Sequence, residues 1–248
     1  MAERILFEKS EELLKEFFKG LDEKERKSIG LMGGWAVYHI LKNKGISHIG
    51  SRDIDIFFDP KKITPDSVKQ KLSKLGFHAH STFRWVKIFH SETENELGLE
   101  ESKKHPMHNL SYVYFDIAAP SKMDHSMPEP LLKKALSKEN MIIKINGISV
   151  MVPTAKAIIE MKLKSSPSRT DSFKRSKDLA DLYSLLENSP EVWETKDGTR
   201  IRAKPLDKKL VKKFKGKLER FRVDGSIASA SSMLGTEQGK ILALFGKV

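Results

Sequence analysis

The 248-residue chain contains no cysteine. That excludes disulfide bridges and any zinc site built on thiolates. Long apolar runs are also missing, and nothing approaches the length of about 20 residues that a membrane-spanning helix needs. The N-terminal stretch Met-Ala-Glu-Arg-Ile-Leu-Phe-Glu-Lys lacks the apolar segment of a signal peptide. The expectation is a cytoplasmic protein with no membrane partner. Acidic residues are scarce in one place. Residues 200–248 hold thirteen Lys/Arg against four Asp/Glu, which is +9 of the chain's net +12. A basic tail on a nearly neutral body suggests a polyanionic partner such as nucleic acid. A solvated lysine-rich helix face would have the same composition. Hydrophobic residues make up 39% and charged residues 31%, so the chain is globular and long enough to bury a core. No internal repeats are visible.

Periodicity gives the coarse layout. Residues 7–18 read as an amphipathic helix with Ser10 as its N-cap, from the stripe Leu13, Leu14, Phe17 and Phe18. Ile29 to Met32 is a short apolar strand ending at Gly33-Gly34, and Trp35 to Leu41 is helical. After a turn at 43–45 comes a strand around Asp53 to Phe58, closed by Pro60. Thr64-Pro65-Asp66 starts a helix that Gly76 ends. Residues 80–89 read as a strand and 92–108 as a mobile polar loop. Leu110 to Ala118 alternates as a strand with one acid, Asp116. Residues 130–137 suggest a short helix, and 141–145 with 148–152 form a hairpin on Asn146-Gly147. Thr154 caps a helix to about 164, and Asp171 or Ser172 starts another to about 186. Residues 191–205 read as loop with some strand, and 206–222 as one helix with a basic outer face. A last short helix ends the chain. Trp35 and Trp85 read as core residues, and His78, His80, His105, His108 and His125 are not spaced as a zinc set.

Three features converge on chemistry. A strand ends in Gly33-Gly34 and feeds a helix, where backbone N–H groups can approach a phosphate and the helix N-terminus favours its charge. The next strand carries Ser51-Arg52-Asp53-Ile54-Asp55, with Asp53 and Asp55 at i and i+2. On a strand such residues share a face. Two carboxylates side by side repel each other, and desolvation disfavours both charges, so a dication would relieve them. Asp116 on a later strand can add a third carboxylate. Carboxylate oxygens suit Mg²⁺, and two such ions can serve both ends of a nucleotidyl transfer. The structural alternatives are a strand edge for the aspartates, a plain tight turn for Gly33-Gly34 and a strand-end turn for Asp116.

Gly33-Gly34, Asp53-Ile54-Asp55 and Asp116 together resemble the signature of the DNA polymerase β-like nucleotidyltransferase superfamily. Gly-Gly-Trp-Ala-Val at 33–37 is similar to aminoglycoside nucleotidyltransferases. Lys162-Leu163, Arg169 and Lys177-Asp178-Leu179-Ala180-Asp181-Leu182 resemble the pattern of AbiEii-type nucleotidyltransferases, the toxins of abortive-infection toxin–antitoxin systems and their relatives. The resemblance covers about residues 29–187 and leaves out the basic tail. It implies an α/β (α+β) fold: a small mixed sheet flanked by helices, followed by a helical C-terminal region. The expected division is a nucleotidyltransferase core at 1–125, a hairpin and helices completing the cleft at 126–195, and a basic helical extension at 196–248.

By that resemblance Asp53, Asp55 and Asp116 are the catalytic carboxylates and hold Mg²⁺, with two ions expected. Gly33, Gly34 and Ser51 contact the triphosphate, Lys162 reaches the nucleotide phosphates, and Asp178 and Asp181 shape the second half of the cleft. Lys162 could equally be solvated, and Asp178 and Asp181 could pair with lysines along their own helix. The family often places an arginine just before the Ser-x-Asp-x-Asp run, where this chain has His48 and Ile49. The implied activity moves an NMP from an NTP to an acceptor hydroxyl. The basic segment 200–222 favours RNA as acceptor, for instance a tRNA 3′ end, and the toxin branch implies an antitoxin partner. The rivals are an aminoglycoside-type enzyme acting on a small molecule and an inactive descendant that only binds nucleic acid.

Overall fold

The computed structural model describes residues 2–196, 199–204 and 206–248. Met1, Asp197, Gly198 and Pro205 lie outside the described residues, together with the parts of the 191–205 reading that fall on them. The chain divides into two compact units. One comprises Met1–His39 with Gly50–Pro153, and the other Ile40–Ile49 with Thr154–Val248.

The first unit is built on a mixed nine-stranded sheet. Its elements are helix α1 (Ala2–Lys19), α2 (Glu23–Arg26), strand β1 (Ile29–Met32), α3 (Gly33–Lys42, which crosses into the second unit), β2 (Ile54–Phe58), α4 (Pro65–Lys74), β3 (His78–Ala79), β4 (Arg84–His90), β5 (Glu96–Leu97), α5 (Leu99–Ser102), β6 (Leu110–Ala119), β7 (Met127–Pro128), α6 (Leu132–Ser137), β8 (Asn140–Ile145) and β9 (Ile148–Pro153). The strand order is β3-β4-β6-β2-β1-β9-β8, with β5 added to β4 and β7 to β6. β2 and β6 run parallel, whereas β1/β2 and β4/β6 are antiparallel.

Local signals explain most of these elements. In α1 the stripe Leu13, Leu14, Phe17 and Phe18 is buried, and Phe17 meets the Phe115 ring of β6 at 4.8 Å. Ser10 is not the N-cap, because α1 starts eight residues earlier. Its hydroxyl is buried inside the helix and accepts the Trp35 indole N–H at 2.9 Å. Thr64 caps α4 ahead of Pro65 at the first turn. Asn146 and Gly147, both at positive φ, turn β8 into β9 as a two-residue hairpin requires.

Two further expectations in this unit are corrected. The predicted strand over 80–89 begins only at Arg84, since residues 80–83 form a turn in which His80 and Ser81 donate their N–H groups to Arg84 O. The predicted loop over 92–108 contains β5, α5 and a 3-10 turn at Met107–Asn109. β5 pairs with β4 and buries Leu97. A two-residue strand is too short to show an alternating pattern.

The second unit is mainly helical. It holds α7 (Ala155–Ser165), α8 (Ser172–Asn188), an antiparallel pair β10 (Trp193–Lys196) and β11 (Thr199–Ala203), α9 (Lys208–Lys215), α10 (Leu218–Val223), α11 (Ser226–Leu234) and α12 (Gln238–Gly246). Thr154 and Asp171 cap α7 and α8 through their side chains. The single helix predicted over 206–222 is instead two helices, α9 and α10, broken at Gly216-Lys217. The apolar stripe survives the break: Phe214 and Phe221 are both buried and pack as rings 5.9 Å apart. Phe245 of α12 closes on Phe214 at 5.3 Å.

Candidate functional site

Strand register, rather than sequence proximity, assembles the acidic site of the first unit. Asp55 of β2 pairs with Asp116 of β6, and Asp116 pairs with Arg84 of β4. Residues opposite one another in a sheet share a face. Asp55, Asp116 and Arg84 therefore form one row across three strands. Asp53 lies one residue before β2, so it enters the row from the strand end and not, as the spacing predicts, from within the strand. Asp116 is buried, whereas Asp53 and Asp55 are half-buried.

The glycine pair sits against this row. Met32, the last residue of β1, pairs with Asp55, and α3 begins at the next residue. Gly33 has φ +65, which disfavours any side chain. A Cβ there would also lie 2.8 Å from Asp55 Cγ and overlap its Oδ2. Gly33 thus lets the start of α3 close on a carboxylate. Gly34 is buried in the first turn of α3, where N–H groups have no partner within the helix. Ser51 is buried just ahead of Asp53.

Arg84 is the site residue that the sequence reading misses. Its Nε donates to Asp116 Oδ1 at 2.7 Å and its Nη2 to Oδ2 at 2.5 Å, a two-pronged contact. The guanidinium also lies 4.8 Å above the Tyr114 ring. The hydrogen bond to Asp116 holds its pKa well above the ordinary arginine value despite partial burial, and the charges of Asp116, Asp53 and Asp55 add to this. Burial pushes the neighbouring Tyr114 phenol upward. The usable signal was a lone base at the head of one strand and a lone acid on another, each of which needs a partner once desolvated.

These residues fit Mg²⁺ by the chemistry of their donors, which are all hard carboxylate oxygens. They do not present a closed cage. Among the described residues no group of three or more Asp, Glu or His side chains is gathered to hold a metal ion. Each Asp116 oxygen already accepts a hydrogen bond from Arg84.

The second unit brings together the other predicted residues. Lys162 of α7 donates from Nζ to Asp178 Oδ1 and Asp181 Oδ2 of α8, both at 2.6 Å. The i,i+3 spacing of the two acids turns both toward α7. Asp178 also accepts from Ser165 Oγ at 2.8 Å and from Arg169 Nε at 3.0 Å. His48 Nε2 lies 2.8 Å from Asp181 Oδ1, with its side chain only 2% exposed. His48 and Asp181 are thus paired within the second unit. Burial would raise both carboxyl pKa values. Lys162, with Arg169 for Asp178 and His48 for Asp181, holds them below the ordinary range instead. Burial would lower the Lys162 pKa, and the two carboxylates hold it well above the ordinary lysine value. A cavity of about 280 Å³ borders His48, lined also by Ser47, Ile49, Ala180, Met233 and Leu234. Farther along the chain, α9 exposes Lys208, Lys209, Lys212 and Lys213 on the side away from buried Phe214.

No protein-family model matches the chain, and no curated protein matches it. Among solved structures, the chain is similar to an antigenic nucleotidyltransferase-like protein from Paracoccidioides brasiliensis. The TM-score is 0.44 at 17% identity, over 95% of this chain and 93% of that one. It is also similar to the Megavirus polyadenylate synthase, with a TM-score of 0.38 at 16% identity, over 88% of this chain and 36% of that one.

Proposed function

We propose that this chain is a Mg²⁺-dependent nucleotidyltransferase that moves an NMP from an NTP to an acceptor hydroxyl. The observation that supports it most is the row of Asp55 and Asp116 closed on one side by Gly33 at the start of α3. In this reading Asp53, Asp55 and Asp116 hold Mg²⁺, which would neutralise the triphosphate and make the acceptor hydroxyl easier to ionise. The backbone of Gly33 and Gly34 and the hydroxyl of Ser51 meet the phosphates, where the helix N-terminus favours negative charge. The acceptor oxygen bonds to the α-phosphorus, the α–β phosphoanhydride bond breaks, pyrophosphate leaves, and the hydroxyl proton passes to solvent.

Lys162, Asp178 and Asp181 are assigned a supporting role, since their charges are satisfied by one another and by His48, Ser165 and Arg169. They fix α7 against α8. RNA is the acceptor class that the concentrated charge of 200–248 and the exposed lysines of α9 favour. A tRNA 3′ end is the specific form to test. The AbiEii-like pattern at 162–182 adds a toxin role, which predicts growth arrest on expression and relief by a co-encoded antitoxin.

The test is incubation with Mg²⁺, each labelled NTP in turn, and total RNA, with Asp53→Ala alongside. Label in RNA with the wild type and none with Asp53→Ala supports the proposal. Transfer by Asp53→Ala at the wild-type rate would overturn the metal site. Label entering an aminoglycoside instead would move the acceptor class to small molecules. RNA binding with no turnover for any NTP would leave a binding module.

A further inference from the structure

The two ends of the nine-stranded sheet differ. β3 is two residues long, too short to offer another strand a ladder, whereas β8 runs for six residues and ends the sheet on the other side. Among the described residues no strand pairs with the outer side of β8. We propose that this edge is a self-association surface, on which β8 pairs antiparallel with β8 of a second copy about a two-fold axis at Ile142. The inference is independent of the chemistry assigned to the carboxylate row.

The hairpin fixes which backbone groups face outward. Asn146-Gly147 is a two-residue loop, so the flanking pair Ile145 and Ile148 exchanges both its hydrogen bonds. Alternation then places the next bonded pairs at Ile143–Val150 and Met141–Val152. The N–H and C=O groups of Asn140, Ile142 and Lys144 therefore point away from β9. Two neighbours agree with this phase. Pro153, which has no N–H, lies opposite Asn140, and Met151, opposite Ile142, pairs with Gly30 of β1 on its other side.

The side chains suit a second copy. Ile142 is 60% exposed and Met141 is 39% exposed, on opposite faces of the strand. A lysine commonly guards a sheet edge against pairing. Here the Lys144 ammonium is drawn inward, onto Ser149 Oγ of β9 at 2.8 Å. With the axis at Ile142, that side chain meets its own counterpart, Asn140 of each copy meets Lys144 of the other, and Met141 meets Ile143. All the outward N–H and C=O groups of the three residues are then bonded. An axis at Lys144 would instead set two lysines face to face. Two-fold pairing also uses up this edge in both copies, so it closes as a dimer rather than extending into a fibre.

The experiment is sedimentation equilibrium of the full chain over a concentration series, as wild type, Ile142→Lys and Ile142→Pro. Wild type should pass from monomer to dimer as concentration rises. Ile142→Lys loses the central apolar contact and adds opposed charges, so its dimer should be about tenfold or more weaker. Ile142→Pro removes an N–H that β9 does not use, so it should keep the fold and also lose the dimer. Thermal melts check that both variants are folded; if Ile142→Pro is not, Ile142→Lys alone decides. The chain has no cysteine, so a single introduced thiol reads the register. On mild oxidation Ile142→Cys should cross-link to its own counterpart, whereas Lys144→Cys, about 14 Å from its counterpart in this register, should not. Wild type that stays monomeric up to about 0.1 mM would overturn the proposal and leave the edge to a strand of a different protein. A dimer of wild-type strength in the folded Ile142 variants would overturn it by placing the interface elsewhere. Faster cross-linking of Lys144→Cys than of Ile142→Cys would overturn the axis at Ile142.

Discussion

Each unit has its own cluster of aspartates facing cations, and the two clusters differ in balance and burial. In the second unit two carboxylates meet Lys162 and Arg169, so the formal charges cancel, and both acids are almost fully buried. In the first unit three carboxylates lie within the field of one guanidinium, and Asp53 and Asp55 remain half-buried. A balanced buried cluster has little reason to accept another ion, because its charges already answer one another. A partly open cluster of three carboxylates can still take up a dication. The residue types are nearly the same. What separates a brace from a candidate reaction centre is the access of its carboxylates to solvent.

The largest effect that tests this contrast is on activity. Asp53→Ala or Asp55→Ala should lower nucleotide transfer by about a thousandfold or more, as loss of a group that stabilises charge in the transition state typically does. Their urea midpoints should stay close to wild type, since removing one of several like charges relieves repulsion. A large fall in stability without loss of transfer would make the first cluster the structural one.

Lys162→Ala tests the other cluster. It leaves two buried carboxylates without their shared ammonium, and breaking a buried ion pair costs about 3–5 kcal/mol. Urea denaturation should show a clearly lower midpoint for Lys162→Ala, whereas Lys208→Ala on the exposed face of α9 should hardly move it. Equal midpoints for the two variants would remove the brace. The pH dependence has a fixed sign. Asp178 and Asp181 are held below their ordinary pKa. The stability they contribute is therefore complete above the unfolded carboxylate value of about 4 and is lost as pH falls through their depressed values. Lys162 is held above its ordinary value. Its contribution is complete below about 10 and is lost only at still higher pH. Melting temperature should fall in acid more steeply for wild type than for Asp178→Asn.

Gly33→Ala strikes where the first cluster meets its helix. The left-handed φ costs about 1 kcal/mol for a residue with a Cβ, and the added carbon overlaps the Asp55 carboxylate. Transfer should drop more than stability does, because the displaced group is the carboxylate rather than the core. Equal losses would argue that Gly33 serves folding alone.

The sequence carried most parts of both clusters but not all of their pairings. β1, the start of α4, the Asn146-Gly147 hairpin and the caps of α7 and α8 were legible because each depends on a local signal: a short apolar run, a capping residue or a turn dipeptide. Asp53, Asp55 and Asp116 were legible as acids out of place in apolar strands. Arg84 was not, because its meaning comes from the β4/β6 register, and register between strands far apart in the chain leaves no local trace. The same holds for His48 beside Asp181, residues joined only by the packing of the second unit. The break at Gly216-Lys217 leaves no signal in the periodicity, because Phe214 and Phe221 keep a helical spacing on either side of it.

The smallest effect concerns the basic tail and asks whether the surplus positive charge answers a nucleic acid. Lys208, Lys209, Lys212 and Lys213 are exposed on α9. Replacing all four by Ala leaves the buried side of the helix intact, and Ala is a better helix former than Lys, so the melting temperature should hold steady. RNA binding should weaken modestly at physiological salt and more at low salt. Each lysine that neutralises a phosphate releases counterions, so the slope of log affinity against log salt should flatten by about 0.7 for every phosphate no longer neutralised on a single strand. An unchanged slope would mean that these lysines only solubilise α9. In that case the acceptor would have to be recognised elsewhere, and the excess charge of 200–248 would cease to favour RNA over a small molecule.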